Sequence, residues 1–310
     1  MYFKNFIKEN KLLIISAIAA VVILCIVFSS KKESENTKII SGQTIEQKKF
    51  DYNAILNSIE AKSYYVYDVI DQKPIFAMDE HEKLPLASIT KLMSGLVVFD
   101  IMPETTIITI TKDDVAMEGD TGLIVGEKWK LKDLIDFTLM TSSNDGMHAI
   151  ASALNYYEVV NNKDTVKIMN EKAVNLGMND TIFINETGLD IDKNMSGAYS
   201  SAYDVSTLFQ SILKKDPTLI SDTNKKEEEF ISESNIKHSA VNTNEVMNKI
   251  SGLIASKTGF TNLAGGNLAV IFDAGLMHPI IIVVLGSTTE GRFNDVIKLE
   301  QMTLQKFSEQ

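Results

Sequence analysis

Apolar and polar positions divide this chain into parts of different kind. Lys4, Lys8 and Lys11 precede a charge-free apolar run from Leu12 to Phe28, and polar sequence without periodicity follows as far as Phe50. The run is at the lower edge of what spans a bilayer core and longer than the usual apolar region of a removable signal. Residues 1–29 are therefore expected to be an N-terminal signal or membrane anchor, with Val27 and Ser29 offering only a poor cleavage site. Residues 30–50 read as a polar stalk and residues 51–310 as the globular domain. Lysines ahead of the run favour a cytoplasmic N-terminus with the remainder outside.

Within the globular part, Ser63 to Ile70 is rich in β-branched and aromatic residues and ends at an Asp-Gln-Lys-Pro turn, the pattern of a strand entering a hairpin. Leu92, Leu96 and Phe99 recur at helical spacing after Ser88. Leu131, Leu134, Ile135 and Leu139 fit an amphipathic helix, and Met147, Ile150, Ala151 and Leu154 fit the inner face of another starting at Asp145. Val166 to Leu176 and Ser201 to Leu213 also read as helices. Later, Ala264 to Phe272 and Ile280 to Leu285 are short apolar runs, expected as central strands covered on both faces. Ser287-x-x-Glu290 has the form of a capping box ahead of a final helix through Phe307. The charged run Lys225 to Glu229 reads as a solvated loop. This order predicts an α/β (α+β) fold: a sheet with helices against it and a helical lobe inserted between its strands.

Composition narrows the function. The chain has 310 residues, 45% hydrophobic and 23% charged, with a net charge of −11. A basic footprint for nucleic acid is absent, so no nucleic-acid partner is expected. The single cysteine, Cys25, lies in the apolar run and excludes a disulfide scaffold or a cysteine-rich zinc site. His81, His148, His238 and His278 are dispersed without metal spacing and read as structural or surface residues, so no metal site is expected.

Three short motifs carry candidate chemistry. Ser88-Ile89-Thr90-Lys91 places a hydroxyl and an amine on one face at a helix start. Serine is a weak nucleophile until a base takes its proton, and lysine serves as that base only if its pKa is lowered. Ser142-Ser143-Asn144 falls between two expected helices, where a second hydroxyl could pass a proton and an amide could hold a carbonyl. Lys257-Thr258-Gly259 precedes a late strand, where lysine and threonine could bind a carboxylate and glycine permits close approach of a ligand. Each motif alone has an ordinary structural reading. Together, in this order, they form the signature S-x-x-K, S-x-N and K-T-G of penicillin-interacting serine enzymes. Asp145, just after the second motif, is expected to cap the following helix.

With these motifs, Leu86-Ala87 before Ser88, the stretch Gly119 to Trp129, Asn185-x-x-Gly188-Leu189 and Asn242-x-Asn244, the chain resembles the low-molecular-mass penicillin-binding proteins. These are the D-alanyl-D-alanine carboxypeptidases of peptidase family S11. The resemblance implies a β-lactamase/transpeptidase-like fold with an antiparallel sheet. It implies removal of the terminal D-alanine from peptidoglycan stem peptides ending in D-Ala-D-Ala, with β-lactams as covalent inhibitors and no cofactor. Ser88 would be the nucleophile, Lys91 its general base and Ser142 a proton relay. Asn144, Lys257, Thr258, Gly259 and Phe260 would bind substrate, with the N–H groups of Ser88 and Phe260 as the oxyanion hole. The chain departs from the family at Ser143, where Gly or Ala is common, and at Glu186-Thr187, where Pro-His is frequent before Gly-Leu. The implied location is the cell membrane through the N-terminal segment, or secreted if that segment is cut, with the catalytic domain extracytoplasmic.

Two other readings compete. A class A-like β-lactamase would use a glutamate to deacylate, for which Glu186 is a superficial candidate. A non-catalytic sensor would keep the fold and only bind β-lactams or wall peptides.

Overall fold

A computed structural model of the protein describes residues 50–157 and 164–309, so the expected anchor and all of the stalk but its last residue lie outside the described residues. None of the described helices is long and apolar enough to cross a membrane.

A short helix, α1 (Tyr52–Leu56), leads into the hairpin of β1 (Ser63–Asp68) and β2 (Lys73–Met78). After β3 (Leu84–Pro85), a 3-10 turn over Ala87–Thr90 opens α2 (Lys91–Ile101). The helical lobe follows: β4 (Ile107–Thr109), β5 (Lys128–Lys130), α3 (Leu131–Thr141), α4 (Asn144–Tyr157) and α5 (Thr165–Leu176). β6 (Ile182–Phe183) and β7 (Ala198–Ser200) lead to α6 (Ala202–Lys215) and a second hairpin, β8 (Glu227–Ile231) with β9 (Lys237–Val241). Three long strands, β10 (Leu253–Thr261), β11 (Gly265–Asp273) and β12 (Pro279–Ser287), and the helix α7 (Gly291–Ser308) complete the domain.

The main sheet has the order β10-β11-β12-β1-β2 and is antiparallel throughout. β1 pairs with β12 from Ser63 opposite Leu285 to Asp68 opposite Ile280, so the first strand closes onto the last. Side chains alternate across a strand, and here both sets are apolar. Tyr65, Ala269, Ile271, Ile281, Val283 and Leu285 pack on the helical-lobe side with Leu92, Leu96, Leu134 and Phe209. Tyr64, Val66, Leu268, Val270, Phe272 and Ile282 pack on the other side with Phe293, Val296 and Leu299 of α7. That double coverage is why β11 and β12 read as continuous apolar runs.

Local side-chain chemistry moves several boundaries. β1 stops at Asp68 because its carboxylate accepts the N–H groups of Ile70 and Asp71, at 3.0 and 2.9 Å, and turns the chain there. The expected capping box at Ser287 and Glu290 does not form. Thr288 Oγ1 accepts the Gly291 N–H instead, while Ser287 donates to Asp295. The charged run at 225–229 is also more ordered than a loop, since Glu227 begins β8 and pairs opposite Val241.

Asp295 joins the two ends of the domain. Fully buried, it accepts the N–H groups of Glu60 and Ala61 and the Ser287 hydroxyl. Asp295→Ala is expected to strand these donors and lower unfolding free energy by about 2–3 kcal/mol. Urea denaturation checks this, and an unchanged midpoint would contradict the assigned bridge.

Candidate active site

The S-x-x-K segment starts not as a regular α-helix but as a 3-10 turn. Ala87, directly before the serine, has φ +48°, a left-handed conformation costly for a residue with a Cβ. Three neighbours hold this turn. Gly188 lies so close that a Cβ on it would fall 1.9 Å from the Ala87 carbonyl oxygen. A Cβ on Gly259 would fall 2.7 Å from the Leu86 carbonyl oxygen. Buried Asn267 of β11 donates its amide to the carbonyls of Pro85 and Leu86, at 2.9 and 3.1 Å, and accepts the Gly286 N–H. The sheet therefore fixes the position of Ser88 through backbone contacts.

Lys91 is fully buried, and its Nζ meets three oxygens: Ser88 Oγ at 2.8 Å, Asn144 Oδ1 at 2.6 Å and the Thr187 carbonyl at 3.0 Å. Burial pulls its pKa down to about 7, against the opposing pull of Glu186 and Asp145. A neutral amine has two N–H groups and one lone pair. Asn144 Oδ1 and the Thr187 carbonyl are obligate acceptors and take the two N–H groups, leaving the lone pair for the Ser88 hydroxyl. Chemically, that arrangement can serve as a general base toward the Ser88 hydroxyl.

The second and third motifs meet at Ser142. It ends α3 in a left-handed conformation, φ +63°, and its Oγ accepts from Lys257 Nζ at 2.7 Å, across 115 residues of chain. Lys257 is buried and also donates to the Thr258 carbonyl. Burial, then the positive charges of Lys91 and Arg292, push its pKa well below the usual lysine range. Thr258 Oγ1 is paired with Thr243 Oγ1 at 2.6 Å, and half-exposed Phe260 closes the strand end. Gly259 gives its carbonyl to the Arg292 guanidinium at 2.9 Å.

All three motifs thus converge. Lys91 ties the first to the second, Lys257 ties the third to the second, and Ser142 and Asn144 share one turn. The Asn144 amide is engaged at both ends, by Lys91 and by the Glu118 carbonyl at 2.6 Å, so it holds the base. Ser143, the departure from the family pattern, accepts the Gly146 N–H at 2.9 Å and bonds Thr121. It is the N-cap of α4, in place of Asp145, whose carboxylate instead takes Thr121 of the neighbouring loop. Asn267, Thr243, Arg292 and the Thr187 carbonyl are additions to the expected set. Thr243 and Thr187 lie within stretches that the sequence singled out, Asn242-x-Asn244 and Asn185-x-x-Gly188-Leu189, whereas Asn267 and Arg292 sit in an expected strand and an expected helix with no mark of a site role.

Each histidine faces a carboxylate: His81 with Asp180, His148 with Glu186, His238 with Glu127 and His278 with Asp68. Among the described residues no group of three or more His, Cys, Asp or Glu side chains is placed to hold a metal ion. Glu186 makes its 2.6 Å contact with His148 Nδ1.

Known proteins resemble this chain in sequence and in fold. The D-alanyl-D-alanine carboxypeptidase model of the S11 peptidases matches residues 47–289. The D-alanyl-D-alanine carboxypeptidase DacF of Bacillus subtilis is 29% identical over 246 residues, covering 77% of this chain and 61% of that protein. The chain thus spans less than two thirds of that relative's length. A D-alanyl-D-alanine endopeptidase of Escherichia coli is 30% identical over 233 residues, covering 73% of this chain and 71% of that protein. Among solved structures, penicillin-binding protein D2 of Listeria monocytogenes in its ampicillin-bound form superposes with a TM-score of 0.65 at 24% identity, covering 78% of this chain and 97% of that one. That likeness shows the fold, the β-lactamase/transpeptidase arrangement that the family resemblance implied.

Gly188→Ala is expected to displace the Ala87 carbonyl and with it Ser88, slowing acylation of Ser88 by a β-lactam about 100-fold. Stopped-flow labelling against the unsubstituted protein measures this, and an unchanged rate would remove Gly188 from the support of the nucleophile.

Proposed function

The chain belongs to the D-alanyl-D-alanine carboxypeptidase family, peptidase S11, and on that premise we propose that it is a serine-type D-Ala-D-Ala carboxypeptidase acting on peptidoglycan stem peptides in cell-wall biosynthesis and remodelling. The observation that carries this reading is the Lys91 amine, buried and bonded to Ser88 Oγ at 2.8 Å with its other two partners both acceptors.

Ser88 Oγ attacks the carbonyl carbon between the last two D-alanines, and its proton passes to Lys91 Nζ. As the tetrahedral intermediate collapses, the C–N bond breaks and the departing D-alanine nitrogen takes a proton through Ser142, which Lys257 holds at 2.7 Å. Thr258 and Lys257 bind the terminal carboxylate beside Phe260, and the N–H groups of Ser88 and Phe260 stabilise the oxyanion. Water then cleaves the Ser88 ester by the reverse proton route and releases the shortened peptide. β-Lactams enter the same path and stop at the acyl-enzyme. A glutamate poised to activate the deacylating water would favour a β-lactamase, but the Glu186 carboxylate is taken by His148. Residues 1–29 anchor the domain outside the cytoplasmic membrane, with residues 30–50 as its tether.

Ser88→Ala is expected to abolish the penicillin adduct seen by mass spectrometry, and Lys91→Ala to lower D-alanine release from a diacetyl-Lys-D-Ala-D-Ala peptide at least 1,000-fold. An adduct that survives Ser88→Ala would refute the nucleophile. Because Lys91 acts as the neutral amine, acylation should rise about tenfold per pH unit below about 7 and level off above it. A rate flat from pH 5 to 8 would refute the base.

A further inference from the structure

Behind the base lies a pair of side chains that the proposed mechanism does not use. His148 projects from α4 one turn after Asn144, and its Nδ1 is 2.6 Å from Glu186 Oε1. The Glu186-Thr187 backbone is latched to α2 at two successive turns. The Glu186 carbonyl accepts Ser94 Oγ at 2.6 Å, and the Thr187 carbonyl accepts Lys91 Nζ at 3.0 Å. A carboxylate is thus built into the segment that holds the buried amine, and an imidazole on the next helix holds that carboxylate.

We propose that His148 is a positioning residue for the base: by binding Glu186 and offsetting its negative charge, it lets Lys91 remain neutral enough to deprotonate Ser88. This rests on Lys91 being the base. The electrostatic logic follows from the surroundings. An uncompensated carboxylate near a buried amine stabilises the ammonium form and removes the lone pair that Ser88 needs. Glu186 pulls the Lys91 pKa upward, against the larger effect of burial. The same carboxylate, through its bond to the imidazole, raises the His148 pKa from its ordinary value against the effect of burial. The Glu186 pKa is lowered: burial raises it, but its bonds to His148 and to backbone N–H, with the charges of His148 and Lys91, outweigh that.

The other charges facing this group come from three sides. Asp114, whose Oδ1 is 4.0 Å from His148 Nε2, and Asp113 approach His148 and favour its protonation. Asp145 at the start of α4 acts on Lys91. Lys257, on β10, shares a mutual repulsion with Lys91. None of these makes a hydrogen bond to Glu186, so His148 is the side chain that directly offsets it.

Two conservative substitutions separate this role from simple structural support. His148→Gln keeps a hydrogen-bond donor but removes the positive charge. Glu186→Gln keeps a partner for the imidazole but removes the negative charge. The observable is the pH profile of Ser88 acylation by a fluorescent penicillin between pH 5 and 9, with thermal unfolding followed in parallel. The acid limb should move up by about half to one pH unit in His148→Gln and down in Glu186→Gln. At pH 6 this is a three- to tenfold loss in the first and a gain in the second. The double variant should return close to the original limb. Loss of packing alone would slow both single variants without shifting their limbs in opposite senses. Limbs that stay fixed, or move the same way, would overturn the proposal. If His148→Gln fails to fold, His148→Asn takes its place, with the same upward movement of the acid limb expected and a fixed limb overturning the proposal. Failure of the underlying reading is seen separately, as pH-dependent acylation that persists in Lys91→Ala.

Discussion

A lysine ammonium buried without compensation costs several kcal/mol, and the domain avoids that cost by holding Lys91 close to neutrality. The rest of the site is organised around that condition. Asn144 and the Thr187 carbonyl use up the donors of the amine, and the remaining direction points at Ser88. An exposed lysine at the same spacing would be protonated and hydrated, and its serine would be an ordinary surface hydroxyl. The reactivity proposed for Ser88 thus depends on burial as much as on its neighbours, and burial is supplied by the helical lobe packed over α2.

This accounts for the tight backbone packing around residues 86–88. A nucleophile that must meet an immobile amine needs an immobile backbone. Gly188 on one side and Gly259 on the other allow main chains to approach within distances that any side chain would forbid. Asn267 then ties the turn to the interior of the sheet through both protons of one amide. The left-handed conformations of Ala87 and Ser142 are local costs borne by this framework, and each lies at or beside a hydroxyl of the site.

Much of this was legible in the chain itself. The three motifs mark the reactive side chains because hydroxyl, amine and amide are written in residue identity, and the apolar runs of β11 and β12 mark a sheet covered on both faces. What escaped was the contribution of groups without an identity. The Thr187 and Glu118 carbonyls are backbone atoms, present at every position, and only the fold decides which of them face an amine. Asn267 looked like one more strand residue because its partners lie more than 180 residues away. Boundaries were misread where a short polar side chain chose between equivalent backbone partners: Asp68 ending β1, Thr288 in place of Ser287 before α7, Ser143 in place of Asp145 before α4. At the two helix starts the candidates have similar intrinsic capping ability, and contacts to Asp295 or Thr121 settle the choice, while at Asp68 the turn is made by bonds to Ile70 and Asp71.

The two apolar faces of the sheet also separate labour in space. Leu56 and Ile59, which follow the domain's first described residues, pack with α7 against one face, while Ile89 and Leu92 beside the nucleophile pack against the other. Both described ends of the polypeptide therefore emerge behind the sheet, on the face opposite the one that carries Ser88 and Lys91. A leash, a fusion partner or a solid support attached at either end would pull on the rear of the molecule and leave its working front unobstructed.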